Sequence, residues 1–196
     1  MKALNIGLAV TALTLTATNF SNNIIPYTNL YETKLIYLTL EEKPVLSFSS
    51  SVRFGKQENQ LSVLVSTDFN GEYTEESVKK ASWVSIANDI KLATSEEIVQ
   101  SGEIDLQAIV KGKKTYYIAF KYTGNESTEG KPTQRTWTVN QVKIGSQDLT
   151  SFNIVNSAIN DEKTGWVKTS GGGVVFRPAA TLKKSEGWAI VKITNP

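Results

Sequence analysis

The sequence predicts an all-β fold, a β-sandwich or jelly roll. Short runs of alternating apolar and polar residues recur between Leu61 and Ile144, with turn residues between them, which is typical of antiparallel sheets. No segment carries the longer apolar period of an extended helix. The 196 residues are 40% hydrophobic, which is enough to build a packed core. Together these observations favour two packed sheets of short strands.

The segment 1–43 allows two interpretations. Residues 1–17 place one lysine before a mostly apolar run, as a weak signal peptide does, although Leu15 stands where a cleavage site wants a small residue. The same run alternates apolar residues with threonine, which favours a strand over 11–20, and a second strand is expected over 33–40. The run is too short and too polar for a transmembrane helix. We expect N-terminal strands and keep the signal peptide as the alternative.

The core of the jelly roll is predicted over residues 44–146. Its strands are expected at 45–54, 61–66, 83–92, 115–122 and 136–144. Leu64 interrupts the alternation of the second strand, which indicates burial on both faces. In the last strand the apolar face changes after Val139, so a β-bulge is expected near Asn140.

One helical turn is predicted between the second and third of these strands, over residues 74–81. Thr74 suits the N-cap, because its hydroxyl can accept a hydrogen bond from a free backbone N–H. Acidic residues follow in the first turn and lysines in the last, which matches the helix dipole. The remaining residues, 147–196, carry shorter strand patterns that we expect to complete the same sandwich.

The composition excludes several classes of function. The chain has no cysteine and no histidine, so disulfides, thiol nucleophiles, imidazole bases and most transition-metal sites are impossible. The formal net charge is +2, from 21 basic and 19 acidic residues, which is too balanced to indicate nucleic-acid binding. Carboxylate chemistry and oxygen-only calcium sites remain.

One loop is a candidate calcium site. Asp68, Asn70 and Glu72 place oxygen ligands at alternate positions, as calcium loops do. The same residues also suit an ordinary Asx-type turn, which needs no metal. Catalytic carboxylates for glycoside hydrolysis would have to come from the acidic residues of the central loops, and no spacing singles out a pair. Those residues are Asp89, Glu96, Glu97, Glu103 and Asp105.

The four tryptophans are candidate sugar platforms, because flat aromatic faces pack against apolar surfaces. Trp137 lies in a strong strand pattern and is expected in the core, and Trp188 is expected to anchor the last strand. Trp83 begins a strand after a polar segment, and Trp166 stands among glycine, threonine and lysine. We therefore predict that Trp83 and Trp166 contact a ligand, with structural packing as the alternative for both.

Five segments of the strand block resemble a known family of domains. They are Leu64-Val65-Ser66-Thr67-Asp68, Ala81-Ser82-Trp83, Gly102 with Ile104-Asp105-Leu106, Tyr117-Ile118-Ala119-Phe120-Lys121-Tyr122, and Thr136-Trp137-Thr138-Val139. In this order they are similar to DUF5017 and to the related choice-of-anchor J or cleaved-adhesin domains of Bacteroidetes surface proteins. The resemblance implies a β-sandwich of galactose-binding-domain-like shape, exported and often associated with glycan uptake. The chain departs from the usual pattern in having no lipoprotein signal with its cysteine.

The resemblance also implies a position for the C-terminal strand. In related domains a strand rich in tryptophan and isoleucine precedes the equivalent of residues 45–54. Here the similar string lies at Gly187–Val191. We expect it to lie beside the strand at 45–54, as in a circular permutation, since the termini of a domain are often close.

The leading functional interpretation is a non-catalytic binding module, extracellular or on the cell surface. Its expected partner is a glycan or another surface protein, and no cofactor is expected apart from the possible calcium ion. A purely structural or adhesive sandwich and a carboxylate-based glycoside hydrolase are the alternatives. A concave groove with an exposed tryptophan and a nearby aspartate or asparagine would favour the first. A flat surface without a pocket would favour the structural sandwich, and two facing carboxylates in a cleft would favour the hydrolase.

Overall fold

The computed structural model describes residues 43–126, 133–157, 164–178 and 183–194. Its strands in chain order are β1 (Val45–Arg53), β2 (Leu61–Ser66), β3 (Val84–Ser85), β4 (Val99–Gln100), β5 (Ile104–Asp105), β6 (Thr115–Gly124), β7 (Thr136–Ile144), β8 (Gln147–Asp148), β9 (Asn153–Ser157), β10 (Gly165–Lys168), β11 (Val174–Arg177) and β12 (Ser185–Thr194). Its helices are α1 (Glu75–Lys80), α2 (Gln107–Val110) and a 3-10 helix over Ala87–Asp89. The strands predicted at 11–20 and 33–40, and the alternative signal peptide at 1–17, lie outside the described residues.

The described strands form two antiparallel sheets that pack face to face, so the predicted all-β sandwich is confirmed. The seven-stranded sheet has the order β10-β11-β7-β1-β4, with β5 also paired to β1 and β8 to β7. The five-stranded sheet has the order β3-β2-β6-β12-β9. Strands from the last fifty residues therefore enter both sheets. None of the described helices is long and apolar enough to span a membrane.

A bulge in β7 fixes which of its side chains face the core. The register passes from the pair Ser49–Asn140 to the pair Ser47–Lys143, so β7 holds one residue more than β1 over this interval. Gln141 occupies the bulge with a φ of +52°, a left-handed conformation that the extra residue requires. The bulge predicted near Asn140 is confirmed, and it returns the apolar residues that follow to the core.

The expectation that Gly187–Val191 lies beside the strand at 45–54 is wrong. These residues belong to β12, which pairs with β6 along its whole length and with β9 on its other edge. β1 lies in the opposite sheet, where β7 occupies one edge and β4 and β5 occupy the other. Both edges of β1 are already paired, so no hydrogen-bonding edge remains for the C-terminal strand.

Aromatic side chains dominate the core between the sheets. Phe48 meets Phe120 edge to face with ring centroids 5.1 Å apart, and Tyr122 stacks on Phe176 at 3.6 Å. Each pair joins one sheet to the other. Burial of a large apolar side chain of this kind stabilises the fold by about 1.5–3 kcal/mol, so these contacts hold the two sheets together.

The helical segments only partly follow the sequence prediction. α1 forms as expected, with the Thr74 hydroxyl accepting from the Ser77 N–H at 3.2 Å. The prediction of a long strand over 83–92 was wrong, because β3 ends at Ser85 and the 3-10 helix follows. The turn-forming pair Asn88-Asp89 favours that helix over continued extension. α2 was not predicted, since its four residues are too few to show a period.

Candidate functional site

The candidate site is a groove of about 460 Å³ on the outer face of the seven-stranded sheet. We call it the outer groove. It is lined by Ser51, Arg53, Phe54, Glu96, Ile98, Thr136, Thr138, Asn140, Val175 and Arg177. These residues come from β1, β7, β11 and the loop that precedes β4, so residues distant in the sequence converge on one surface.

Strand alternation explains the polar floor of the groove. Successive side chains of a strand point to opposite faces, and on β7 the core takes Trp137 and Val139. Thr138, which lies between them, therefore faces outward. It stands opposite Ser51 of β1 and Val175 of β11. Ser51, Thr136 and Thr138 supply hydroxyl groups to the floor of the groove, and these groups can donate and accept hydrogen bonds.

Asn140 adds an amide to this floor, and a glycine makes room for it. A Cβ placed on Gly173 would lie 2.0 Å from Asn140 Oδ1 and 2.5 Å from the Val139 carbonyl oxygen. A substituted residue would have to displace both groups, so only glycine permits this approach. The glycine-rich stretch at 171–173 thus has a packing role beside the groove.

Two apolar side chains stand on the rim. Phe54 is 74% exposed and Ile98 is 69% exposed, and both line the groove. Among the described residues they are two of three large hydrophobic side chains classed as exposed, the third being Val84. Exposed apolar groups that gather at one concave surface are typical of a binding site.

The rim is held in place by Arg135. Its guanidinium donates from Nε to the Phe54 carbonyl at 3.3 Å and from Nη2 to the Thr94 carbonyl at 2.8 Å. These bonds link the loop that carries Phe54, where φ is +58°, to the loop that leads to Ile98. The apolar rim is therefore pre-organised by hydrogen bonds to its backbone.

A buried polar network supports Arg135 from below. Gln60 Oε1 accepts from the Arg135 N–H at 3.0 Å, and Gln60 Nε2 donates to the Tyr122 hydroxyl at 2.7 Å. That hydroxyl in turn donates to the Arg135 carbonyl at 3.1 Å. Burial raises the pKa of Tyr122 well above its usual range, so the phenol stays protonated and serves as a fixed structural donor.

The charged residues of the groove are unevenly paired. Arg53 Nε lies 3.5 Å from Glu96 Oε2 across the rim, with both side chains largely exposed. Arg177 ends β11 and is exposed, and it forms no ion pair with any residue in the part of the chain that the structure describes. Within the described part of the chain, the groove thus presents one loosely paired guanidinium and one that forms no ion pair.

Trp83, the first predicted ligand contact, lies away from the outer groove. It is half-buried above the five-stranded sheet, where its ring packs on Phe69 at 5.7 Å and on Trp188 at 5.4 Å. Its indole N–H donates to the Val78 carbonyl at 2.8 Å. The ring and its polar edge are both engaged within the protein, which matches the packing alternative.

Trp166, the second predicted ligand contact, is 1% exposed, so the expectation that it contacts a ligand is wrong. Its indole N–H donates to the Gly187 carbonyl at 3.0 Å and its ring meets Phe176 edge to face. The Asn156 side chain bonds to both the N–H and the C=O of Trp166. The polar sequence context concealed this core position, because Thr164 and Gly165 beside it are themselves buried although their residue types are typical of loops.

Asp68, Asn70 and Glu72 form hydrogen bonds within their own loop and to the residues beside it. Asp68 Oδ1 accepts from the Ser66 hydroxyl and from the Ser82 N–H, both at 2.9 Å. The Asn70 amide donates to Glu72 Oε2 at 3.1 Å and its oxygen accepts from the Glu72 N–H. This is the Asx-type turn that the sequence also allowed. Within the described ranges, no group of three acidic side chains is placed to hold a metal ion.

Two of the acidic residues considered for catalysis have partners within the protein. Glu96 is the one carboxylate among the described residues that line the groove, and its partner is Arg53. Asp105 accepts from the Gln107 N–H at 2.8 Å at the start of α2. Glycoside hydrolysis in its usual form requires two facing carboxylates, and the described lining residues include Glu96 alone.

Sequence reasoning missed the residues that build the outer groove. Phe54 continues the alternation of the buried residues Phe48 and Val52, which would place it in the core, but its left-handed φ of +58° ends the strand and leaves it exposed. Ile98 stands alone in a loop and carried no periodic signal. A signal was nevertheless available in β7, where Thr136, Thr138 and Asn140 alternate with core residues. A central strand with a polar outer face indicates a sheet face that no other layer covers. Such a face is where a binding site is expected.

The comparisons with known proteins identify a family and no individual relative. No curated protein and no solved structure matches the chain. The profile of the family described as "Domain of unknown function (DUF5017)" matches residues 27–164, as the five resembling segments predicted. The match covers more than half of the chain, which therefore belongs to the DUF5017 family.

Proposed function

We propose that this protein is a non-catalytic binding module that holds a glycan in the outer groove. The observation that supports this most directly is the pairing of an exposed aromatic ring with a floor of hydroxyl and amide groups. Phe54 offers a flat apolar surface, on which the C–H face of a sugar ring can pack. Thr138 and Asn140 lie within the same groove and can bond to sugar hydroxyls.

The chemistry of the groove favours binding over catalysis. Glu96, the one carboxylate among the described lining residues, lies against Arg53. Without histidine in the chain, the hydroxyl groups of the groove lack the imidazole base that commonly activates such a nucleophile. The hydrogen bonds from Arg135 to the rim reduce the ordering cost of binding. A pre-formed polar groove whose described lining includes one carboxylate suits recognition of an intact glycan.

Binding to an oligosaccharide array, followed by titration calorimetry with the best ligand, tests this proposal. Phe54→Ala is expected to weaken binding by about tenfold, as loss of an aromatic contact does at other interfaces. Val84→Ala is the matched control, because Val84 is an exposed apolar residue of β3 in the other sheet. Equal losses in the two variants, or no binding to any oligosaccharide, would contradict the proposal.

An extracellular or cell-surface location is part of the same proposal and rests on the family resemblance. Protease treatment of intact cells tests it. Digestion of the protein without lysis is expected, and full protection until lysis would place it inside the cell.

A further inference from the structure

The outer groove carries an excess of positive charge. Arg53 and Arg177 line it, and the Arg135 guanidinium lies beneath its rim, bound to the Phe54 and Thr94 carbonyls. Against these three cations, Glu96 is the one acidic side chain among the described lining residues. The chain as a whole has a net charge of only +2, so this local imbalance is a property of the groove.

The two lining arginines are available to a ligand. Arg177 is exposed and forms no ion pair with a described residue. Arg53 is paired with Glu96 at 3.5 Å, but both side chains are more than half exposed. An exposed pair of this kind contributes little to stability, so a ligand anion can replace Glu96 at small cost.

The geometry places both arginines on the same side of one ligand. Arg53 lies opposite Thr136 of β7, and β11 pairs with the other edge of β7. The two backbones are therefore two strand spacings apart, about 10 Å. Anionic groups on nearby sugars of one oligosaccharide can reach both guanidinium groups, with Phe54 beside them as the apolar contact.

We propose that the outer groove recognises an acidic glycan, one whose sugars carry carboxylate or sulfate groups. The inference rests on the proposed glycan-binding function and narrows its ligand class. A guanidinium presents parallel N–H donors that match a carboxylate or sulfate in a bidentate geometry. A neutral glycan would leave Arg177 without an anionic partner and would gain nothing from the charge of the groove.

The test compares matched oligosaccharides by titration calorimetry on the full chain. The probes are oligogalacturonate, its methyl ester and a sulfated oligosaccharide of the same length. At least one anionic probe is expected to bind about tenfold or more tightly than the ester. The difference between the carboxylated and sulfated probes identifies which anion the groove prefers.

Substitutions of the lining arginines test whether the groove causes this preference for anionic oligosaccharides. Arg177→Ala is expected to lower affinity for the anionic probe about tenfold and affinity for the ester by clearly less, while Arg177→Lys recovers part of the loss. Lys192→Ala is the matched control, because Lys192 is an exposed cation of β12 in the other sheet. Thermal unfolding of each variant shows whether it is folded, and Arg53→Ala provides an independent variant with the same expected direction.

The outcomes separate this inference from the function on which it rests. Equal binding of ester and acid, with a loss in Phe54→Ala but none in Arg177→Ala, would overturn the acidic class and leave glycan binding intact. No binding of any probe, in this assay and on the array, would overturn both. Equal losses in Arg177→Ala and Lys192→Ala, or equally tight binding of single-stranded DNA, would show unspecific charge attraction and overturn the inference.

Discussion

The outer faces of the two sheets have opposite characters. On the five-stranded sheet, outward-facing residues of β6 such as Tyr117 and Ala119 are buried under a second apolar cluster. The segment 67–83, which includes α1, supplies that cover. On the seven-stranded sheet, outward-facing residues such as Thr138 and Asn140 remain partly open to solvent. The covered face stabilises the sandwich, and the open face is available to a ligand.

Aromatic side chains therefore have different roles on the two outer faces. Trp83, Tyr73 and Phe69 form a continuous aromatic contact above the five-stranded sheet, and this contact closes a small second core. On the seven-stranded sheet, Phe54 is the one aromatic side chain among the described residues that line the outer groove. A cluster of aromatic residues indicates packing here, and an isolated exposed one indicates binding.

The largest expected difference between the faces concerns Trp188. This residue is 5% exposed, packs on Trp83 and holds the Lys121 ammonium over its ring at 4.8 Å. Trp188→Ala is expected to lower the free energy of unfolding by about 3–5 kcal/mol, because it leaves a cavity in the second cluster. Guanidinium denaturation followed by circular dichroism measures the loss.

Thr138→Ala on the open face is the control for Trp188→Ala. Its hydroxyl faces the outer groove, so a loss of about 1 kcal/mol or less is expected, within the range of strand propensities. Similar losses in both variants would mean that the two outer faces contribute alike to stability, contrary to the comparison.

Trp83→Ala gives the next largest effect and decides between packing and ligand binding. We expect a loss of about 2 kcal/mol, because the ring is half-buried and its hydrogen bond to the Val78 carbonyl is removed. Glycan affinity is expected to stay unchanged, since Trp83 lies outside the outer groove. Unchanged stability with reduced affinity would restore the sequence-based interpretation of Trp83 as a sugar platform.

The sequence predicted the fold better than the site because strands leave a periodic signal and sites do not. Alternation located β1, β2, β6 and β7, and a change of face located the bulge at Gln141. The sheet partner of β12 was not predictable in this way, because alternation shows which residues share a face and does not show which strand lies beside them.

The candidate site escaped prediction for a related reason. Its members come from four separate segments, and strand pairing alone brings Arg53 close to Arg177. The prediction for Trp166 was wrong in the opposite sense. Its sequence neighbours are typical of an exposed loop, but its side chain is buried in the core. Exposure of a single aromatic residue depends on tertiary contacts that its sequence neighbours do not encode.

The third prediction concerns the cap of the helix that covers the five-stranded sheet. Thr74→Ala removes the acceptor of the Ser77 N–H and is expected to lower the free energy of unfolding by about 1 kcal/mol. The helix carries Val78 into the second cluster, so fraying at its start loosens the cover. Urea denaturation measures the change.

Thr74→Ser is the matched control, because serine retains the capping hydroxyl. It is expected to keep most of the stability of the natural chain. A loss equal to that of Thr74→Ala would attribute the effect to the methyl group and not to the cap.

The smallest expected effect is a change of the free energy of unfolding with pH. It arises where the two ends of the covering segment 67–83 meet. Asp68 accepts the Ser82 N–H and so joins the start of the segment to its end. Hydrogen bonds from Ser82 and Ser66 hold the pKa of Asp68 below its ordinary value of 3.8, although partial desolvation acts in the opposite direction. Because the folded-state pKa is the lower one, the stabilisation is fully present above pH 3.8 and is lost as the pH falls through the folded-state pKa.

Urea unfolding between pH 7 and pH 2 (a range set to cover the ordinary carboxyl pKa) tests this for the natural chain and Asp68→Asn. The difference in their free energies of unfolding is expected to be constant near neutral pH and to shrink at the acidic end. Ser82→Ala removes the hydroxyl that contributes most to the lowered pKa, so in that variant the pH-dependent loss should be smaller and should be complete at a higher pH. The effect is small because Asp68 is exposed and water screens its interactions. A difference that does not change with pH would show that Asp68 closes the segment through hydrogen-bond geometry alone, with no contribution from its charge.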